Sequence, residues 1–282
     1  MIKLEDLTRL YPLYKGRGRL ALSAFRRGNH AVEAAEPIRV ALLTGEKIYV
    51  FENDYIGRMV RFFGDLDPAV SGIVRKLVRP GDVVLDIGAN IGLVTLQMAS
   101  IVGAEGHVFA FEPIKRLSAL LSRSAAENDF ENITIHNVAL SELAGTGSMQ
   151  VADRSLGCST LSLGIEGEPC EIRMLDEIDF GPHLKRPRLL KIDVEGHESK
   201  VFAGGRTFLE KYPPDYILFE SHAEHGRFWD RPEVRLLLEY GYGFAAILRT
   251  VFARPVLRDV VPGDSNLTGS DDFLATRKGL RG

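Results

Sequence analysis

Val83-Val84-Leu85-Asp86-Ile87-Gly88-Ala89-Asn90-Ile91-Gly92 is the stretch whose reading decides the fold. A β-branched apolar run ends in an acid, and a glycine turn then opens a helical pattern from Leu93 to Ile101. Such a run, bounded by turn residues, reads as a buried strand. A strand that delivers a glycine loop to a helix N-terminus is the layout of a nucleotide-type site. The glycine spacing is G-x-x-x-G rather than the G-x-G-x-x-G that cradles a pyrophosphate. An acid at the loop mouth would repel a pyrophosphate and suits a ligand carrying an ammonium and a sulfonium.

A second acid stands where that ligand needs it. His107-Val108-Phe109-Ala110-Phe111 reads as the next strand and runs into Glu112 and Pro113. Glu112 lies 20 residues after Gly92, a spacing at which a second-strand carboxylate accepts from both ribose hydroxyls. Loop and acid together predict a nucleoside-binding α/β domain whose ligand is S-adenosylmethionine.

Outward from this core, Ile38 to Leu43 and Lys47 to Phe51 flank Thr44-Gly45-Glu46, a hairpin signal. Pro68 to Val78 has apolar residues at helical spacing and stops at Pro80-Gly81. A helix from Lys115 to Asn128 and a third strand from Ile133 to Val138 follow the first two strands. From Ser141 to Pro169 the pattern gives way to Gly, Ser and Thr, which reads as a loop or irregular hairpin over the ligand end of the sheet, the place for acceptor contacts. Leu189 to Asp193 is a fourth core strand and Tyr216 to Phe219 a fifth. A helix from Pro232 to Tyr240 and strands at Gly243 to Val251 and Phe273 to Thr276 complete the alternation. Strands alternating with helices of this length predict a doubly wound, mostly parallel seven-stranded sheet with helices on both faces. Residues 1–60 read as an accessory basic arm and hairpin, and 61–282 as the ligand-binding domain.

The chain has 282 residues, a net charge of −3, 45% hydrophobic and 26% charged residues. This is ordinary globular composition and disfavours nucleic acid as partner. No apolar run is long enough to span a bilayer. Two cysteines, Cys158 and Cys170, lack metal-type spacing and read as free thiols in a reducing cytoplasm. In the N-terminal arm, Lys3, Arg9, Lys15, Arg17, Arg19, Arg26 and Arg27 face only Glu5 and Asp6. That is a solvated arm, with contact to an anionic membrane surface as the sharper alternative.

Asp86 to Gly92, Phe111-Glu112-Pro113, Val138-Ala139-Leu140-Ser141, Leu175-Asp176 and Leu190-Lys191-Ile192-Asp193-Val194-Glu195-Gly196 resemble the FkbM-type methyltransferases. The resemblance covers roughly residues 54 to 222. It implies a class I Rossmann-like fold, S-adenosylmethionine as cofactor, and methyl transfer to a hydroxyl of a small molecule or glycan. Members often carry an aromatic-Glu pair after a glycine upstream of the first strand; here Gly64 precedes Asp65-Leu66-Asp67, with Asp67 in the place of that Glu. Val138 stands where many class I enzymes have an Asp that reaches adenine. Adenine is therefore expected to meet backbone groups at Ala139, the Asn137 side chain and an apolar wall at Pro113 and Ile114.

Gly88 and Gly92 are expected to let the backbone approach the cofactor, and Asp86 to accept from its ammonium directly or through water. Asn90 reads either as a cofactor contact or as a helix cap. On the fourth strand, Lys191, Asp193 and roughly Glu195 share one side of the chain. A buried Lys needs a partner, and Asp193 is the nearest in sequence. Asp193 or Glu195 could take the acceptor's proton with Lys191 beside them; a structural ion pair is the alternative. His197 and His222 are further candidates for the base, whereas His107, His136 and His225 read as structural or surface residues. No D-x-D or His cluster has metal spacing, so no metal ligands are assigned. Nitrogen methylation, a catalytically silent binding module and a dehydrogenase are the competing readings.

Overall fold

In a computed structural model of the chain, the described residues are 36–52, 54–152, 155–162, 167–222, 227–249, 255–262 and 271–277. The basic arm and His225 lie outside them. The first described element is the expected hairpin, Ile38–Ala41 (β1) paired antiparallel with Lys47–Val50 (β2). Tyr55–Phe63 (α1) follows, its N-terminus capped by Asp54, whose carboxylate accepts from the amides of Ile56 and Gly57. The helix runs across residue 60, the expected domain boundary. Leu42, Ile48, Val50, Ile56 and Val60 bury themselves against Ile91, Leu93 and Leu117, so this segment shares the core of the glycine loop.

Pro68–Leu77 (α2), Val83–Ile87 (β3), Leu93–Val102 (α3), His107–Phe111 (β4), Lys115–Glu127 (α4) and Ile133–His136 (β5) alternate as the sequence predicts. Next come Ala139–Leu140 (β6), Gly145–Ala152 (β7), Ser155–Ser162 (β8) and Glu168–Arg173 (β9). Leu189–Ile192 (β10), Glu198–Ala203 (α5), Arg206–Lys211 (α6), Tyr216–Glu220 (β11), Pro232–Glu239 (α7), Gly243–Arg249 (β12), Pro255–Val260 (β13) and Asp272–Thr276 (β14) follow among the described residues.

The central sheet runs β13-β12-β14-β11-β10-β3-β4-β5. Its strands from β11 to β5 are parallel, and β14 is antiparallel to both neighbours. Among the described residues the sheet thus has eight strands, a correction to the seven expected. The extra one is β13, an edge strand in which only Val260 is fully buried and in which Arg258 and Asp259 interrupt the apolar residues. Charges suit an edge and hide the strand from a hydrophobicity reading.

Alternation along the strands builds the two faces. Leu85, Ile87, Leu190, Ile192, Ile217 and Phe219 meet α5, α6 and α7 through Val201, Phe202, Phe208 and Leu237. Val84, Val108, Leu189, Leu218 and Leu274 meet α2 and α3 through Ile73, Val74, Met98 and Val102. Each such side chain contributes about 1.5–3 kcal/mol by leaving water. From β3 the chain winds outward to β5 and then returns to β10 on the other side, so the order reverses between β3 and β10, where a crevice opens.

The stretch from Ser141 to Pro169 forms an antiparallel hairpin of β7 and β8 with a register shift between Gln150 and Ala152. With β9 and β6 it makes a second sheet, ordered β6-β9-β7-β8. A Cβ on Gly147 would lie 2.8 Å from Ile172 Cδ1 and 2.9 Å from Ser162 O. Small residues admit close strand packing here and leave no periodicity to read. Among the described residues no helix is long and apolar enough to cross a membrane.

Candidate active site

A cleft of about 370 Å³ opens at the C-terminal ends of β3, β4, β10 and β11, with Met149 and Leu161 of the second sheet on its wall. That volume lies in the range of small-molecule sites.

On the β3–β4 side the glycines serve contacts within the chain. Gly88, at φ +80°, passes so close to the β10 loop that a Cβ would sit 1.9 Å from the Asp193 carbonyl oxygen. Gly92, at φ +91°, does not line the cleft; its Cβ would meet Leu121 Cδ1 of α4 at 2.2 Å. Asn90 is left-handed at φ +52°, and its Oδ1 accepts from the Ile91 amide at 2.7 Å. It lines the cleft but does not cap α3, whose N-cap is Gly92.

Glu112 is 4% exposed and faces the cleft. Its Oε2 accepts from the Asn90 amide at 2.8 Å and its Oε1 from the Ile114 amide at 2.9 Å. Burial pushes this carboxyl up to about 7, against the pull of those two amides and Lys191. Each oxygen keeps a lone pair for a ligand hydroxyl. Asn137 is not on the cleft wall: its Nδ2 donates to the carbonyls of Glu112 and Pro113 at 2.7 and 3.0 Å and so fixes the β4 exit. Pro113, Ile114, Val138 and Ala139 supply an apolar wall.

Asp86 is fully buried and does not line the cleft. Strand alternation turns it with Val84 towards α3, where Thr95 Oγ1 donates to its Oδ2 at 2.6 Å. Register sets Lys191 of β10 beside it. Lys191 Nζ lies 3.2 Å from Asp86 Oδ1, donates to the Gly88 carbonyl at 3.2 Å, and is 3.7 Å from Asp193 Oδ2. Asp86, not Asp193, is therefore the nearer partner of Lys191, because cross-strand neighbours outrank sequence neighbours. Burial alone would lower the Lys191 ammonium, but Asp86 and Asp193 outweigh it and raise it.

The β10–β11 side is acidic. Asp193, with its side chain 48% exposed, projects beside Lys191. Glu195 adopts φ +53° after the strand has ended at Ile192, so it leaves the alternation expected of it. Burial, then Asp193, raises its carboxyl. Glu220, at the end of β11, is pushed up to about 9 by burial and by Asp193, Asp272, Glu195 and Glu198. Asp272 is raised to about 6, burial outweighing Arg249. Arg249 bonds both Asp272 and Asp67, and Asp67 also caps α2 through the Ala69 amide at 2.9 Å. His197 lines the cleft and shares a 2.9 Å hydrogen bond with Ser141 Oγ; burial lowers it. His222 Nε2 lies 3.4 Å from Glu220 Oε2. Although the sequence shows no metal-type spacing, Glu195, Glu220 and His222 bring three donor atoms within 4.8 Å of one another.

Sequence reasoning missed Glu220, Asp272, Arg249 and Glu198. The last is buried and accepts from the amides of Val194 and Gly196, holding the turn after β10. Their convergence depends on β14 entering beside β11, which leaves no sequence motif, and on the turn after β10.

A family profile described as the methyltransferase FkbM domain matches residues 86–244. The hexuronic acid methyltransferase AglP of Haloferax volcanii is 28% identical over 144 residues, 50% of this chain and 56% of that protein. The AMB antimetabolite synthetase AmbE of Pseudomonas aeruginosa is 31% identical over 163 residues, 44% of this chain and 8% of that protein. The chain thus spans little more than half of the first relative and less than a tenth of the second. Among solved structures, an O-methyltransferase from Thermotoga maritima aligns at TM-score 0.43 and 16% identity, over 85% of this chain and 77% of that one.

Proposed function

The chain belongs to the FkbM methyltransferase family, and from that premise we propose that its cleft binds S-adenosylmethionine and methylates a hydroxyl of a small molecule or glycan. The observation that carries this reading is Glu112, a buried carboxylate held between two backbone amides and open to the cleft beside an apolar wall. A nucleoside needs that pairing: an acceptor for two ribose hydroxyls and an apolar slot for its base. The donor set fits the rest of the cofactor too, since the acids at Asp193 and Glu195 suit a cation. The nearest ammonium, on Lys191, is turned to Asp86 and the Gly88 carbonyl.

When bound, S-adenosylmethionine would supply an electrophilic methyl carbon, which the acceptor's hydroxyl oxygen would take as the carbon–sulfur bond breaks and the hydroxyl proton leaves. In this reading Gly88, Asn90, Glu112, Pro113 and Ala139 touch the cofactor, while Asp86, Gly92 and Asn137 position them. Asp193, on the cleft wall and half exposed, takes the proton. Glu195 and His197 flank the acceptor, His222 stands beside Glu220 off the cleft wall, and Lys191 keeps Asp193 in place. The likeness to a hexuronic acid methyltransferase supports a sugar as acceptor. The expected setting is the reducing cytoplasm, in keeping with a buried, free Cys170.

Calorimetric titration with S-adenosylhomocysteine tests the reading. Wild type is expected to bind, and Glu112→Ala to lose about 1–3 kcal/mol of affinity. Binding of NADH but not of S-adenosylhomocysteine would overturn it.

A further inference from the structure

We propose that Glu195, Glu220 and His222 form a site for a divalent cation that takes the acceptor's hydroxyl in an open coordination position; this rests on the methyltransferase reading of the cleft. The three donor atoms come from the ends of adjacent strands β10 and β11 and lie within 4.8 Å of one another. Atoms at that spacing fit around one ion at roughly 2.0–2.6 Å, the range of carboxylate and imidazole ligands. Glu195 and Glu220 both line the cleft, so the ion would face the acceptor rather than the core.

The charge balance points the same way. Asp193 and Asp272 stand beside the cluster and add to its negative field. The two cations on the cleft wall are already engaged, Lys191 with Asp86 and Arg249 with Asp67 and Asp272. Asp193, Glu195, Glu220 and Asp272 outnumber the Lys and Arg side chains beside them, an excess of negative charge that a bound ion would offset. Imidazole beside two carboxylates is a mixed donor set that a first-row transition-metal ion such as Mn²⁺ accepts more readily than Ca²⁺ does.

A cation here would answer two needs of the reaction. It would lower the energy of the acceptor oxygen as its proton departs to Asp193. It would also allow an acceptor that carries a carboxylate next to its hydroxyl, as a uronic acid does, to enter a cleft that otherwise repels anions.

The probe is Mn²⁺ alone, titrated into the full chain and followed by the electron paramagnetic resonance of the free ion. One ion per chain is expected, with binding weakened about tenfold or more in both Glu220→Gln and His222→Ala. Calorimetry with S-adenosylhomocysteine reports in parallel, and both variants are expected to bind it within about threefold of wild type, which also certifies their fold. Absence of stoichiometric Mn²⁺ binding below about 1 mM in the wild type overturns the proposal, as does equal binding by wild type and both variants. Mn²⁺ binding that tracks the variants, in a chain that fails to bind S-adenosylhomocysteine, supports the cation site and breaks the methyl-donor reading instead.

Discussion

The two sides of the cleft solve opposite problems. On the β3–β4 side the polar groups have partners within the chain: Glu112 has two amides, Asp86 has Lys191 and Thr95, and Asn137 ties down the β4 exit. On the β10–β11 side Asp193, Glu195, Glu220 and Asp272 gather faster than cations do, and Glu220 and Asp272 are pushed far above the usual carboxylate range. One side is preorganised and needs only a ligand of matching shape. The other holds an electrostatic cost that a ligand relieves. Sites where local satisfaction fails are where function resides.

The largest effect should come from the seam between the sides. Lys191→Met strands Asp86, which is fully buried, and is expected to cost about 3–5 kcal/mol in urea unfolding. Adding Asp86→Asn should recover a good part of that loss. A single variant as stable as wild type would show that the two sides are independent.

Glu112 separates stability from binding by pH. Its folded-state value of about 7 lies above the ordinary 4.5, so its contribution to stability is full below pH 4.5 and is lost as pH rises through 7. The loss is ~3 kcal/mol at most. Affinity for S-adenosylhomocysteine should move in the opposite sense and strengthen towards pH 7, since ribose hydroxyls need the ionised acceptor. Urea midpoints and calorimetry between pH 4 and 8 check both trends, and Glu112→Gln should flatten both.

Gly88→Ala acts on both sides through one atom. A side chain at φ +80° costs roughly 1–3 kcal/mol, and the added Cβ collides with the Asp193 carbonyl. Cofactor affinity and kcat should fall together; a loss of only one would show that the two loops move separately.

The smallest stability change belongs to Asp193→Asn, within about 0.5 kcal/mol, as expected of a half-exposed group. Its kcat on the true acceptor should nevertheless fall about 100- to 10,000-fold with S-adenosylhomocysteine affinity intact. Wild-type turnover would move the proton's exit to His197 or to water.

The β3–loop–α3 unit and Glu112 were legible because apolar runs, glycines and a strand-end acid lie close together in the chain. Lys191 was legible as a buried charge, but its partner was not. Asp86 and Lys191 are more than a hundred residues apart in sequence and meet only through strand register. Arg249 reaches Asp67 at the start of α2 from far along the chain, and Glu220 faces Asp272 across β11 and β14; tertiary arrangement sets both. Strand β13 escaped because edge strands need no apolar run, and β7 and β8 were legible only as a loop or irregular hairpin because tight packing there uses glycine and serine. Local chemistry is written locally, whereas the acidic side of the cleft is written in the topology.

Gly88 has a mechanical consequence. Its bare Cα lets the glycine loop rest directly on the carbonyl of Asp193, while the Lys191 ammonium pins its own carbonyl from beneath. Two loops wedged together in this way leave no slack to be taken up when a ligand arrives. If the cleft transfers a methyl group as proposed, this contact would set the distance from donor to acceptor. An acceptor whose hydroxyl sits about one ångström short of it would lose on the order of a hundredfold in rate, whatever its affinity.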